Sequence, residues 1–223
     1  MSLFWHYVFV EFSSPLRSLT PSVDAVVLTV LAGTHGSLSQ TQVHRLAGRA
    51  SRSGVALALE RLAGQGVVSG HPAAYGRLYS LNREHVLAPA ILAAVDARAE
   101  FLGRLRSACI EFGTKVLSAA LYGSVVRGEA NADSDVDLLL VVAHDETVDN
   151  PDFVAKVAAL EAKVLSWSGN RLQPLVITLA SLQRMATNRE PIVSEWLTDA
   201  DTLHGTRLMD LIQGALESND TPL

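Results

Sequence analysis

Two carboxylates, Asp135 and Asp137, stand two positions apart at the head of a short apolar run, Val136 to Val142. An earlier apolar run, Val116 to Tyr122, ends in Gly123-Ser124. The second run is unbroken and rich in valine and leucine, which predicts a buried strand. Side chains alternate along a strand, so the two acids point the same way. Carboxylates held side by side repel each other and are costly to bury unpaired. A divalent cation removes that cost. Mg²⁺, with Mn²⁺ as its substitute, prefers a couple of carboxylates together with phosphates and water. At the other end, glycine lets backbone approach a ligand closely. A helix opening at Ser124 would aim free N–H groups and one hydroxyl at an anion. Donors for phosphate on one wall and a shelf for metal on the other are what phosphoryl or nucleotidyl transfer from a nucleoside triphosphate requires. The plain alternative is a Gly-Ser turn and a solvated aspartate at a strand end. What makes the pattern specific is the combination: a strand on each side and Arg127-Gly128 between.

Taken together, Gly123-Ser124, Arg127-Gly128, Ser134-Asp135 and Asp137-Leu138 resemble the signature of the DNA polymerase β-like nucleotidyltransferase superfamily, and its minimal branch above all. The resemblance covers Lys115 to Leu179. It implies that Asp135 and Asp137 bind the metal and, with Ser124, form the catalytic set. It implies that Gly123, Ser124 and Arg127 hold the nucleotide, ATP in the first instance. A nucleoside monophosphate would pass to a hydroxyl and pyrophosphate would leave. Protein acceptors, as in toxin–antitoxin pairs, are among those the resemblance allows. The sequence departs from the pattern at one point. The family carries a third carboxylate on the next strand. Here that strand is expected at Leu172 to Leu179, which has no acid. Gln173 lies near the position, and an amide takes no proton at neutral pH. An acid from elsewhere, Glu161 or Glu195 for example, would have to complete the site.

The elements that must position these residues are legible around them. Asp152 to Trp167 predicts a helix with Phe153, Val157, Leu160, Val164 and Leu165 inward. Pro174 predicts that the third strand lies at an edge or carries a bulge. Helices are expected over Ser181 to Asn188, capped by Ser181, and from Pro191 to Leu197. Thr202 to Gly205 reads as an extended piece, Arg207 to Leu216 as a closing helix, and Ser218 to Leu223 as frayed.

The first third of the chain has a different character. Helices are expected over Pro21 to Ala32, Leu38 to Gly48 and Ser51 to Leu62. Strands are expected at Val67 to Ser69 and Leu78 to Leu81, around a loop from Gly70 to Arg77. Three helices followed by a hairpin resemble the winged helix-turn-helix domains of small bacterial regulators. In those the third helix enters the major groove of double-stranded DNA. Arg49, Ser51, Arg52 and Ser53 then open that helix, and Arg77 lies in the wing. The alternative is a helical module for protein contacts whose arginines form a solvated face. Between Arg17 and Arg83 seven arginines stand against Asp24 and Glu60, a net +5 in a chain of net −5, so the remainder carries −10. That split favours a nucleic-acid-facing module joined to a domain of another kind.

The first twelve residues hold Phe4, Trp5, Tyr7, Phe9 and Phe12. They lack the basic and small-residue features of a secretory leader. They read as an extension or as a strand packing on a partner subunit. His85 to Phe112 reads as one long helix joining the domains, with room for a homodimer interface. Cys109 is the only cysteine, which excludes an intramolecular disulfide and points to the cytoplasm. With 48% apolar residues and no run of spanning length, a sizeable core and no membrane insertion are expected. The expected architecture is α+β. An extension (1–16) precedes a winged helix-turn-helix (17–84). A linker helix (85–113) then leads to a small α/β nucleotidyltransferase domain with a mixed sheet and C-terminal helices (114–223). The function expected is a DNA-binding regulator with a nucleotide-handling domain. The alternative is a degenerate domain kept for oligomerisation or antitoxin-like partner binding.

Overall fold

The computed structural model describes residues 10–74, 76–129 and 134–217. The aromatic stretch up to residue 9, Tyr75, residues 130–133 and the tail 218–223 expected to fray lie outside them. The chain divides into two compact units. One is Ser14–Arg98; the other comprises the remaining described residues, 10–13 and 99–217.

The first unit holds α1 (Val23–Ala32), β1 (Leu38–Ser39), α2 (Gln40–Leu46), α3 (Arg52–Gly64), β2 (Val68–Ala73), β3 (Gly76–Leu81) and α4 (Ala88–Val95). Its three strands form an antiparallel sheet in the order β1-β3-β2. Two expectations change. Leu38 and Ser39 do not open α2 but pair with Tyr79 and Leu78. Ser39 then caps α2 through a reciprocal pair with Gln42, which stops the helix from extending backwards. The expected loop from Gly70 to Arg77 is mostly hairpin, with ladder pairs running from Val68↔Leu81 to Ala73↔Gly76. Val27, Leu31, Val43, Val55, Ala58 and Leu59 are fully buried where the helices meet. Truncating a leucine there would cost about 2–5 kcal/mol.

The single long helix expected over His85 to Phe112 is two helices, α4 and α5 (Ala97–Ile110), so the units are not joined by one long helix. The break falls at Asp96, whose backbone leaves helical geometry at ψ 3°. Aspartate competes for backbone partners inside a helix, which makes it a natural stopping point. The apolar spacing that reads as one stripe is two stripes. Ile91, Leu92 and Val95 pack on the first unit's core. Phe101, Leu105, Ala108 and Cys109 pack on that of the second.

The second unit continues through β4 (Val116–Tyr122), α6 (Ser124–Arg127), β5 (Val136–Val142), α7 (Asp145–Val148), α8 (Pro151–Ser168), β6 (Leu172–Thr178), α9 (Leu179–Thr187), α10 (Pro191–Asp199), β7 (Asp201–Gly205) and α11 (Leu208–Glu217). The sheet order is β6-β5-β4-β7. Among the described strands of this sheet β5 and β6 run parallel and the other pairs antiparallel, so the sheet is mixed, and Pro174 sits on the strand at the end of the β6-β5-β4-β7 order, as its chemistry requires. β5 is buried on both faces, which explains its unbroken apolar run. Leu138, Leu140 and Val142 meet Phe101, Leu105, Phe153, Leu160 and Val164 of α5 and α8. Leu139 and Val141 meet Leu182, Trp196, Leu208 and Ile212 of α9, α10 and α11. Phe12 joins the first of these layers, its ring 4.5 Å from that of Phe101. α9 is capped by Thr178 rather than Ser181: the Thr178 hydroxyl accepts from the Ser181 N–H at 3.2 Å. The expected extended piece near Thr202 is β7, paired with β4. Among the described residues no helix is long and apolar enough to cross a membrane.

Candidate functional site

The chain leaves β4 at Gly123, which adopts φ 75° and ψ −154°. It then makes the single turn of α6 and is closed by Gly128 in the left-handed region at φ 70°. β5 returns beside β4 with Asp137 opposite Tyr122. This register brings the Asp137 carboxylate over the bend. A β-carbon on Gly123 would run into Asp137 Oδ2 and lie 3.3 Å from its Cγ. Glycine is therefore required at 123 twice over, by its backbone angle and by the acid facing it.

Asp137 shares its strand face with Leu139 and Val141, so it points to the side of the sheet covered by α9, α10 and α11. Asp135 precedes it by two residues, and both are half-buried. Burial holds the Asp137 carboxyl above the ordinary carboxylate range. The neighbouring charge of Asp135 raises it further, Arg127 pulls it down, and Glu195 adds a smaller upward push. Asp135 thus acts on Asp137 as a close carboxylate neighbour does.

The backbone around Asp135 is held from both sides. The buried Asn170 donates through Nδ2 to the Ser134 carbonyl at 2.9 Å. The Val136 N–H donates to the Arg171 carbonyl at 2.8 Å. Asn170 is fixed in turn, its Oδ1 accepting from the Val10 N–H at 3.2 Å. Gln173 lies opposite Asp137 on β6, and its Nε2 donates to Asp135 Oδ2 at 3.3 Å. The β6 position expected to bear a third carboxylate therefore holds a neutral donor that already engages one of the two acids.

Arg127, expected on the nucleotide, faces carboxylates. Its Nη1 donates to Asp199 Oδ2 at 2.6 Å and its Nε to Glu129 Oε2 at 3.0 Å. These bonds, that to Glu129 first, raise the guanidinium pKa further. α10 thus supplies Asp199 to one wall of the site. One turn earlier on that helix, Glu195 is close enough to raise both Asp137 and Tyr122. Burial is the first cause of the rise in the Tyr122 phenol, and Asp137 the second. Trp196 anchors the helix, its ring edge-on to Tyr122 at 6.0 Å. Glu161 lies on α8, whose Leu160 and Val164 pack on the opposite sheet face. Sequence reasoning missed Tyr122, Asp199 and Asn170. The local strand and turn signals carry no trace of a partner more than thirty residues away.

Two half-buried, mutually repelling carboxylates are donors of the kind a hard divalent cation takes. The fit is partial. Among the described residues no group of three or more histidine, cysteine, aspartate or glutamate side chains is arranged to hold a metal.

In the first unit, Arg49, Ser51, Arg52, Ser53 and Arg77 are all exposed. The Ser51 hydroxyl accepts from the Gly54 N–H at 3.1 Å and caps α3. Arg61 and Arg83 are engaged internally, with the Asp24 carboxylate and the Ala32 carbonyl respectively. Arg77 stands on β3 opposite Pro72.

Residues 102–188 match the family model described as Nucleotidyltransferase domain, which is less than half of the chain. The second unit accordingly carries a nucleotidyltransferase-type domain. A crystal structure of a toxin–antitoxin with AMP-PNP overlaps 53% of this chain and 86% of its own at 18% identity. Its TM-score is 0.36, a likeness too weak to bear on function. No curated protein matches the chain in sequence.

Proposed function

We propose that the chain is a cytoplasmic, homodimeric DNA-binding regulator. In this proposal its second unit binds a nucleoside triphosphate, ATP in the first instance, together with Mg²⁺ or Mn²⁺. The observation that carries the nucleotide half is the meeting of Gly123 with Asp137, with Asp135 alongside, inside a segment that matches the nucleotidyltransferase domain. Gly123 makes room for the Asp137 carboxylate over the bend, and the Ser124 hydroxyl serves as a phosphate donor. Asp135 and Asp137 hold the cation, which when bound neutralises phosphate charge. Arg127 reaches phosphate by exchanging one of its two carboxylate partners.

Gln173 weighs toward binding without turnover, because it donates to Asp135 and accepts no proton. A second reading, transfer of a nucleoside monophosphate to a hydroxyl, is favoured by Glu195, whose charge is felt by both Asp137 and Tyr122. In that reading Glu195 takes the acceptor's proton. A radiolabelled-ATP assay with Asp137→Ala as control separates the two. Label on an acceptor that disappears in the variant supports transfer. Saturable ATP binding with no label supports a sensor. No binding at all would leave a degenerate domain used for partner contacts.

The DNA-binding half draws support from the succession of α1, α2, α3 and the β2–β3 hairpin, with β1 completing a three-stranded sheet, and from the unit's exposed arginines. In this winged helix-turn-helix reading α3 enters the major groove and Arg77 lies in the wing. A gel shift on the protein's own promoter region tests it, and an unchanged shift with Arg52→Ala would count against a groove-reading helix.

A further inference from the structure

We propose that α3 carries a thymine-reading position, Leu57, whose side chain packs on the C5-methyl group in the major groove. This rests on the DNA-binding reading above.

α3 has a well-defined inward face: Val55, Ala58 and Leu59 are 0% exposed and Leu62 is 5% exposed. Its outward face carries Arg52, Ser53, Leu57 and Glu60. Ser53, Leu57 and Glu60 recur at four- and three-residue steps, so they form one stripe. Leu57 is 62% exposed at the centre of that stripe. A single exposed leucine is ordinary by itself. This one stands one turn beyond Ser53 near the start of the helix, with Glu60 as its other neighbour on the stripe and Arg52 exposed in the first turn. The Ser51 hydroxyl caps the helix and shares a hydroxyl–hydroxyl hydrogen bond with Ser53 at 3.4 Å, which leaves Arg52 as the exposed cation of the first turn. An apolar side chain one turn further along has one apolar target among the base edges of the major groove, the thymine methyl. Charge selects the same occupant. Arg49, Arg52 and Arg77 are exposed on this unit, while Arg61 is neutralised by Asp24. A surface so biased attracts phosphate rather than an acid-poor apolar protein face.

The test uses the full chain. Duplexes are selected from a random pool, and the best binder is remade with deoxyuridine in place of each thymidine in turn. Deoxyuridine lacks only the methyl. At one position the replacement should weaken wild-type binding about fourfold, the worth of one methyl group withdrawn from water. Leu57→Ala should bind the thymidine and deoxyuridine duplexes equally, since the lost partner makes the methyl irrelevant. Leu57 is exposed, so the variant should melt with the wild type. Equal binding of every deoxyuridine duplex by the wild type overturns the proposal. So does an unchanged thymidine preference in Leu57→Ala, or a change of oligomeric state in that variant, which would assign Leu57 to a protein interface. If no duplex is enriched at all, the DNA-binding reading falls and takes this position with it. Enrichment without a methyl effect sinks the position alone.

Discussion

The Asp137 carboxylate occupies the space that a β-carbon on Gly123 would need. Two elements distant in sequence are thereby held at a spacing that only glycine permits. Gly123→Ala meets both the carboxylate and an unfavourable positive φ. It should lose about 1–3 kcal/mol of stability in a urea titration. It should also weaken ATP–Mg²⁺ binding at least ~10-fold, or about 1.4 kcal/mol. Adding Asp137→Ala relieves the contact but not the backbone angle. The double variant should therefore recover part of the stability, and none of the affinity.

The raised pKa of Asp137 makes stability depend on pH with a definite sign. Its folded-state value lies above the unfolded one, so in the window between them the native state binds more protons. Stability attributable to this group is greatest below the unfolded pKa and declines as pH rises through the folded one. In EDTA at neutral pH, Asp137→Asn should melt about 2 °C above the wild type. The effect is modest because a half-exposed carboxylate is screened by solvent. At pH values well below the carboxylate range the two should coincide. Scanning calorimetry across pH reads both.

Gln173→Glu places a third acid where an amide now donates to Asp135. Without a divalent cation, the lost hydrogen bond and the new repulsion should lower the melting temperature by about 2–4 °C, the equivalent of ~1 kcal/mol. With Mg²⁺ present the deficit should close, because a third oxygen ligand joins the set. A thermal melt in EDTA and in Mg²⁺ shows whether the shift produced by the cation exceeds that of the wild type.

For the first unit, Arg52→Ala should weaken binding to a selected duplex by about 1–3 kcal/mol if Arg52 reads a guanine edge, with relaxed preference at one position. If it touches phosphate, binding should weaken across all sequences and the salt slope should fall by about 1. Affinities measured at several salt concentrations separate the two cases.

Much of this fold is written locally. β4 and β5 match the expected runs residue for residue because strands buried on both faces must be predominantly apolar, with Ser118 and Asp137 as the polar exceptions. Pro191 opens α10 as its fixed φ requires. The failures share a cause. Asp96 splits a stripe that periodicity reads as continuous, because two cores, not one, receive it. Leu38-Ser39 becomes a strand only because β3 offers an edge to pair with. At the site, the residue types of Gly123, Asp135 and Asp137 announce themselves through spacing. The engagement of Arg127 by Asp199, 72 residues away, has no local signature. That the Glu195 charge is felt at Asp137 and Tyr122 depends on how α10 packs, and Trp196 on Tyr122 holds that helix.

The central claim is that Asp135, Asp137 and the Gly123-Ser124 bend form one site for a nucleotide–metal complex. Calorimetric titration of ATP into the full chain, in Mg²⁺ and in EDTA, tests it most directly when the Asp135→Ala/Asp137→Ala double variant is run in parallel. The account predicts saturable one-site binding that requires the cation and is lost in the double variant. Binding that is equal in EDTA or in the double variant, or no binding by the wild type, would contradict it.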